Sequence, residues 1–324
     1  MIITIRKYEI SLKKEWDKFI KSSDNGTIFH ERDFLTYHIG RKFIDHSLMF
    51  YKKNQLIAVF SASEKKINNN NIILHSHPGA SYGGFVFNKY SFDLVESVIA
   101  SFENYLKSTL INEVFLIQPP SIYGKKYDET IEYSLKWNNY STDEIYISSA
   151  INLIGSPLKR IHKRKKRYIK KPLNDCYNLE WNNDFDQFYP ILLKNKKKHK
   201  ITPTHSLEEL KLLYKRFPEK IKLLMLYKNN TAIGGTLNFI ANNDVVIIFY
   251  NMINYEYAGQ QPATHLIVET INWAKAENYK WLDFGVSQLP LNNNPLSPHK
   301  SLIQFKEQFG ATGFLRRAYR KKIK

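Results

Sequence analysis

One order of strand and helix signals occurs twice in this chain, and that repetition limits the fold more than any single motif. "YKKNQLIAVFSA" (51–62) and "YKNNTAIGGTLN" (227–238) both read as a polar, Asn-containing turn leading into a strand. A further strand follows each, "NIILHSH" (71–77) and "DVVIIFYNMI" (244–253). Next come long helices, "SFDLVESVIASFENYLKS" (91–108) and "PATHLIVETINWAKAEN" (262–278). Each leads to a short buried strand, "NEVFLIQPP" (112–120) and "YKWLDFGVS" (279–287). The offset is 176 residues at the turns and 167 at the last strands, which fits nine extra loop residues before the first helix. A repeat this long predicts two similar domains, not a solenoid.

The pattern breaks at 151–172, where "GSPL" precedes the basic helix "KRIHKRKKRYIKK", which ends before Pro172. The boundary is placed there, giving domains 1–158 and 159–324. Each half opens with helices. In the second half these are 184–198, which Pro190 should kink, and 206–217, with Ser206 as N-cap and Glu209 three residues on. Helix, helix, antiparallel strands, helix, strand describes an α/β half with a mixed, mostly antiparallel sheet flanked by helices. Late in the chain, "SLIQFKEQFGA" (301–311) forms an amphipathic helix with Leu302, Phe305 and Phe309 on one face and Gly310 as its stop. Lys306 sits at the margin of that apolar stripe.

The net charge of +18 is local. Nine basic residues lie in 159–171, five in 194–200 and six in 316–324, leaving 28 basic against 30 acidic side chains elsewhere. A binder that uses its whole surface for nucleic acid is not implied; three patches able to meet phosphates are. Cys176 is the one cysteine, so no internal disulfide forms and a multi-Cys zinc site is excluded. "MIITIRKYEI" alternates like a strand, unlike a signal peptide, and no run of 18 or more apolar residues occurs. A soluble cytoplasmic protein with no membrane span is the expectation.

"AIGGTLNFIANNDVVIIFYN" (232–251) is similar to the hairpin of GNAT acyltransferases, in which a small-residue strand precedes one ending in Tyr. "PATHLIVETINWAKAENYKWLDFGVS" (262–287) is similar to the helix and strand that follow, and "FKEQFG" (305–310) to a late Phe-Lys…Phe-Gly motif. The second half thus resembles a GNAT domain, and the tandem order resembles the FemAB-like double-GNAT proteins. The resemblance spans nearly the whole chain, strongly from about 160 to 320 and more weakly before. It implies two tandem GNAT-like domains, the first on the acceptor side and the second on the acyl-CoA side. It also implies N-acyl transfer from acetyl-CoA; no metal is expected. "SHPGASYGGF" (76–85) resembles a first-domain loop of family members that acetylate nucleotide-linked amino-deoxysugars, such as dTDP-3-amino-3,6-dideoxy-D-galactose, for surface polysaccharide.

The chain departs from the wider superfamily at "YAGQQPATHL" (257–266), where the usual Gly-rich pyrophosphate loop is missing. Pro262 suits the first helical position and should leave the amides of Ala263, Thr264 and His265 free for an anion. Gln261, Ala263 and Thr264, with Asn251 and Ile253 on the preceding strand, are the expected acetyl-CoA contacts.

Acyl transfer to an amine needs the amine deprotonated, the oxyanion stabilised and the thiolate accommodated. His75 and His77 should face one way on one strand, and His77, beside Pro78 and the Gly-containing loop, is the preferred base. The plain alternative is a histidine hydrogen-bonded at a sheet edge; as metal ligands the pair lacks a third partner. The resemblance places Lys306 at the active site, where its ammonium beside Phe305 could meet an oxyanion or phosphate; otherwise it snorkels to water. Tyr82, Gly83 and Gly84 would form a flexible loop for a sugar or base, or only a turn. Tyr250 could donate to substrate or simply pack, and Asp283 could serve the chemistry or cap the next turn. Arg164, Arg167 and Lys171 share a helical face suited to a nucleotide diphosphate, CoA phosphates or tRNA.

The reading is a tandem-GNAT enzyme that N-acetylates a nucleotide-linked amino sugar with acetyl-CoA. One rival is a FemX-type ligase moving an aminoacyl group from tRNA to a peptidoglycan precursor. Another is a non-enzymatic basic module that holds RNA or a membrane surface; it predicts aromatics among the basic residues, and 159–171 holds only Tyr168.

Overall fold

Asparagine turns start the sheet in both halves of the chain. The computed structural model describes residues 2–68, 71–89, 91–169, 176–289, 294 and 296–323. Lys53 and Asn54 (φ 47° and 63°), and Asn229 and Asn230 (φ 46° and 63°), hold the left-handed backbone that two-residue hairpins require. They join Leu48–Lys52 to Gln55–Ser61 and Ile221–Lys228 to Thr231–Ile240.

The chain divides into two compact units. One contains Met1–Tyr146, Pro290–Ser297 and Leu315–Lys324; the other contains Ile147–Leu289 and Pro298–Phe314. The division falls inside the strand Ser141–Asn152, earlier than the break at 158/159 suggested by composition, because "GSPL" and the basic run follow that strand. Lys171 and Pro172 lie outside the described residues.

In the first unit, Thr4–Lys7, Leu48–Lys52, Gln55–Ser61 and Gly84–Phe87 form an antiparallel sheet in that order. Asn71–Ser76 pairs antiparallel with Ser63–Asn68 and parallel with Glu113–Ile117, whose other edge takes Ala318–Lys322. The helix Phe92–Lys107, N-capped by Ser91 (Oγ to Leu94 N–H, 3.2 Å), buries Val95, Ile99, Phe102 and Leu106 against Phe50, Phe60 and Phe85. Ser63–Asn68 and Gly84–Phe87 have no counterpart in the repeat as read from sequence. One is a charged, exposed strand, and the other begins in a Gly-Gly pair that reads as loop.

In the second unit, Tyr177–Glu180, Ile221–Lys228, Thr231–Ile240 and Val245–Ile253 are antiparallel neighbours, and Trp281–Val286 joins Val245–Ile253 in parallel. The predicted helices are present as Phe185–Lys198, which continues through Pro190, and Leu207–Arg216. The second starts in a reciprocal capping box between Ser206 and Glu209. The helix Pro262–Ala276 lays Ile267, Ile271 and Ala274 on Val246 and Leu282, with Phe309 closing the cluster. Both units are mixed α/β layers. No helix among the described residues is long and apolar enough to cross a membrane.

Candidate active site

Two neighbouring strands of the second unit part company. Val245–Ile253 pairs with Thr231–Ile240 along its length, with a bulge at Phe249 between the pairs Leu237↔Tyr250 and Asn238↔Ile248. On its other edge it pairs with Trp281–Val286 only at Val245↔Trp281, Val246↔Leu282 and Ile247↔Asp283. Among the described residues no strand takes that edge from Ile248 to Ile253. The opening therefore leaves main-chain groups that an extended ligand can pair with, as a strand would. Two expected contacts sit here and are partly occupied. Asn195 Nδ2 donates to Ile253 O at 2.7 Å, and Asn251 Oδ1 accepts from Thr236 Oγ1 at 3.0 Å.

The helix start beside this opening differs from expectation. Pro262 is the first helical residue and Gln261 caps it in the left-handed region (φ 56°). The Gln261 carbonyl accepts the amides of Thr264 (2.9 Å) and His265 (3.4 Å), so these two are not free for an anion. A lysine that the sequence reading passed over stands there instead. Lys165 is buried, and its Nζ donates to Gln261 Oε1 (2.9 Å) and Thr264 Oγ1 (3.1 Å). The rings of Phe305 and Phe309 lie 5.1 and 5.5 Å from that ammonium. Burial, then Arg164, lowers its pKa. The signal was present: Ile161, Lys165 and Ile169 recur at i, i+4 and i+8, the buried stripe of the basic segment. Arg164 and Arg167 are exposed.

Lys306 neither snorkels nor faces an open site. It is 3% exposed, and its Nζ donates to Gly285 O (2.7 Å), Val286 O (3.0 Å) and Ser287 Oγ (2.7 Å). An ammonium has three N–H groups, and all three are occupied. Burial brings its pKa down to about 8, opposed by Asp283. Asp283, fully buried, accepts from Gly285 N–H (2.7 Å) and Ser148 Oγ (2.9 Å), so it caps the turn after its strand. Tyr250 is also committed internally. Its hydroxyl accepts Thr204 N–H (3.0 Å) and lies 3.2 Å from His205 Nδ1, its ring packs near Phe188 and Phe249, and burial raises its pKa.

In the first unit the loop read as flexible is packed. The strand ends at Ser76, so His75 and His77 do not share a strand face. His77 is buried, and its Nδ1 accepts Gly79 N–H at 3.1 Å. Burial, with Arg32, His75, His38 and His30 adding to it, takes its pKa down to about 3, too low for a base that works near neutrality. Gly83 donates to Ile117 O and its own carbonyl meets His30 Nε2 at 3.1 Å. Gly84 donates to Ser76 Oγ at 2.6 Å. Its φ is 80°, and a Cβ there would overlap Gln118 Oε1. Tyr82 is 1% exposed, edge-on to Phe29 and Tyr123, with the Arg316 guanidinium 4.8 Å from its ring.

Three residues of the C-terminal basic run are engaged by acidic side chains. Arg317 pairs with Glu129 (3.5 Å), Arg320 with Asp143 (2.7 Å) and Glu113, and Lys321 with Glu103 (2.5 Å). Among the described residues no group of three or more His, Cys, Asp or Glu is placed to hold a metal ion.

Residues 158–300 match the family described as the acetyltransferase (GNAT) domain. Over its whole length the chain is similar to FemX, with TM-score 0.73 and 12% identity, covering 98% of this chain and 97% of that one. It is also similar to a tandem GNAT protein from the clavulanic acid biosynthesis pathway (TM-score 0.55, 8% identity, 100% and 99% covered). A third similar structure is L-PGS from Bacillus licheniformis (TM-score 0.54, 11% identity, 96% and 91% covered). At these identities the likeness is one of fold: two GNAT-like units in tandem. No curated protein matches the chain in sequence.

Proposed function

We propose that this protein is an N-acyltransferase of the tandem-GNAT kind, with its acyl donor in the second unit and its acceptor on the first. The observation that carries the reading is the parting of Val245–Ile253 from Trp281–Val286 after Ile247, next to the helix that starts at Pro262. An acyl thioester of coenzyme A fits such an opening, its amide-bearing arm pairing with main chain near Asn251 and its phosphates meeting Ala263 and the Lys165 ammonium. Bound there, it supplies an activated acyl group. The chain's own residues orient that group and exclude water. The acceptor in this reading is the amino group of a nucleotide-linked amino-deoxysugar, and the setting is cytoplasmic surface-polysaccharide synthesis.

One observation favours a second donor. The amides of Thr264 and His265 are occupied within the chain, which removes part of the usual pyrophosphate cradle. An aminoacyl group carried on tRNA, as in the FemX-type reading, does not need that cradle. Mass spectrometry of reactions offered acetyl-CoA or aminoacyl-tRNA, each with dTDP-linked 3-amino sugar or a peptidoglycan precursor, separates the two. Acetylated sugar supports the first reading; aminoacylated precursor replaces it with the second.

A further inference from the structure

Past the end of the free strand edge, the second unit has a hollow of about 620 Å³. Small-molecule sites span about 300–1,000 Å³, so this one is large enough for a ligand. One wall is the helix Phe185–Lys198, through the stripe that carries Lys194. The other is the hairpin turn at Asn230 together with residues 253–256. Ile253 belongs both to the free edge and to the hollow, so a ligand extended along that edge leads into it.

The wall carries positive charge that the chain does not neutralise. Lys194 is exposed and, among the described residues, has neither an ion pair nor a hydrogen bond. Lys198 lies one helical turn on, over the same face. Its ammonium stands 3.5 Å from the centre of the Tyr255 ring, and Tyr255 is 41% exposed. Among the described residues no lysine of 194–200 is paired with an acidic side chain. Glu256 is the acid on the wall, and its carboxylate accepts from Asn254 Nδ2 at 3.3 Å. Asn230, held at φ 63° in the turn, has a side-chain amide with no partner among the described residues.

We infer that this hollow receives the nucleotide end of the donor, an adenosine bearing phosphate. Lys194 and Lys198 meet the phosphate, and Tyr255 and the Asn230 amide meet the base. Two cations without an acid call for an anion, and phosphate bonds an ammonium strongly. A ring beside an unbonded amide suits a planar base whose edge both donates and accepts. An uncharged sugar would leave both ammoniums to water, and an acyl chain would desolvate them. The lysines also supply anchoring that the helix start lacks, since the amides of Thr264 and His265 are spent within the chain. Coenzyme A and the 3′ end of a charged tRNA share this adenosine. Naming it as the donor's rests on the acyltransferase reading; nucleotide binding itself does not.

The test is calorimetry on full-length protein with three probes: adenosine 3′,5′-bisphosphate, acetyl-CoA, and a CCA-ended minihelix RNA charged with alanine. Wild type is compared with the double variant Lys194→Gln/Lys198→Gln and with Tyr255→Ser. All three positions are exposed, so thermal unfolding should match wild type. Each variant should weaken the bisphosphate about tenfold, and weaken by a similar factor whichever donor binds. Loss confined to acetyl-CoA assigns the adenosine to coenzyme A, and loss confined to the minihelix assigns it to tRNA. Affinities equal in wild type and variants overturn the proposal, and so does a wild type that binds no bisphosphate. If acetyl-CoA still binds in either case, the hollow is misassigned and the acyltransferase reading stands. If the bisphosphate weakens as expected but neither donor binds wild type, the assignment to the donor is overturned.

Discussion

Lys306 shows how a charged residue can be buried with its donors met by main chain and a serine hydroxyl. Its ammonium ties down the carbonyls of Gly285 and Val286 where Gly285 (φ 69°) turns the chain out of its strand. Lys306→Met retains the stem and removes the three donors, leaving two buried carbonyls without this partner. The expected loss is about 3 kcal/mol of stability, read from urea unfolding. Unchanged stability together with a large loss of kcat/KM would return Lys306 to the oxyanion role expected from sequence. His77 makes a second prediction at this scale. Its pKa falls from 6.5 unfolded to about 3 folded, chiefly through burial, so the unfolded chain binds the extra proton between those values. Its contribution is fully present above pH 6.5 and is lost as pH falls toward 3. His77→Asn should reduce the slope of stability against pH by about 1.4 kcal/mol per pH unit between pH 6 and 4. An unaltered slope would mean that His77 is already protonated in the folded protein.

Among the elements, the segment from Ser76 to Phe87 is the most exacting. Gly84 combines a positive φ with no room for a Cβ, because the Gln118 amide spans from it to Phe85. Gly84→Ala should cost about 3 kcal/mol or prevent folding, whereas Gly259→Ala, where a Cβ meets nothing within 4 Å, should change thermal unfolding little. Equal effects would contradict the packing described for this loop. The hairpin turns, the long helices and the capping box at Ser206 were legible in the sequence because each rests on local chemistry: Asn at positive φ, apolar residues at helical spacing, a serine with a glutamate three residues on. The chemistry around them was less legible. Tyr82, Gly83 and Gly84 read as a flexible loop because burial by Phe29, Tyr123 and Gln118 comes from residues distant in sequence. Lys165 was hidden in a run of basic residues, although Ile161 and Ile169 marked its face as buried. Helical spacing located Lys306 at the edge of the apolar stripe, but it could not show that the end of Trp281–Val286 supplies the acceptors.

For the molecule as a whole, net charge describes less than its distribution. Much of the C-terminal basic run is neutralised by Glu103, Glu113, Glu129 and Asp143. In the run at 194–200, Lys196 and Lys198 lie over the rings of Tyr250 and Tyr255, at 5.2 and 3.5 Å. A whole-surface polyanion binder is a poor description of such a protein; the parting of Val245–Ile253 from Trp281–Val286 after Ile247 is the feature on which the proposed donor site rests. Hydrogen–deuterium exchange on the full-length chain, with and without saturating acetyl-CoA, tests that account most directly. The account predicts slowed exchange confined largely to 248–253 and 261–266, the free strand edge and the start of the adjoining helix. Unchanged exchange there, or protection that appears only elsewhere, would contradict a donor site between the parted strands.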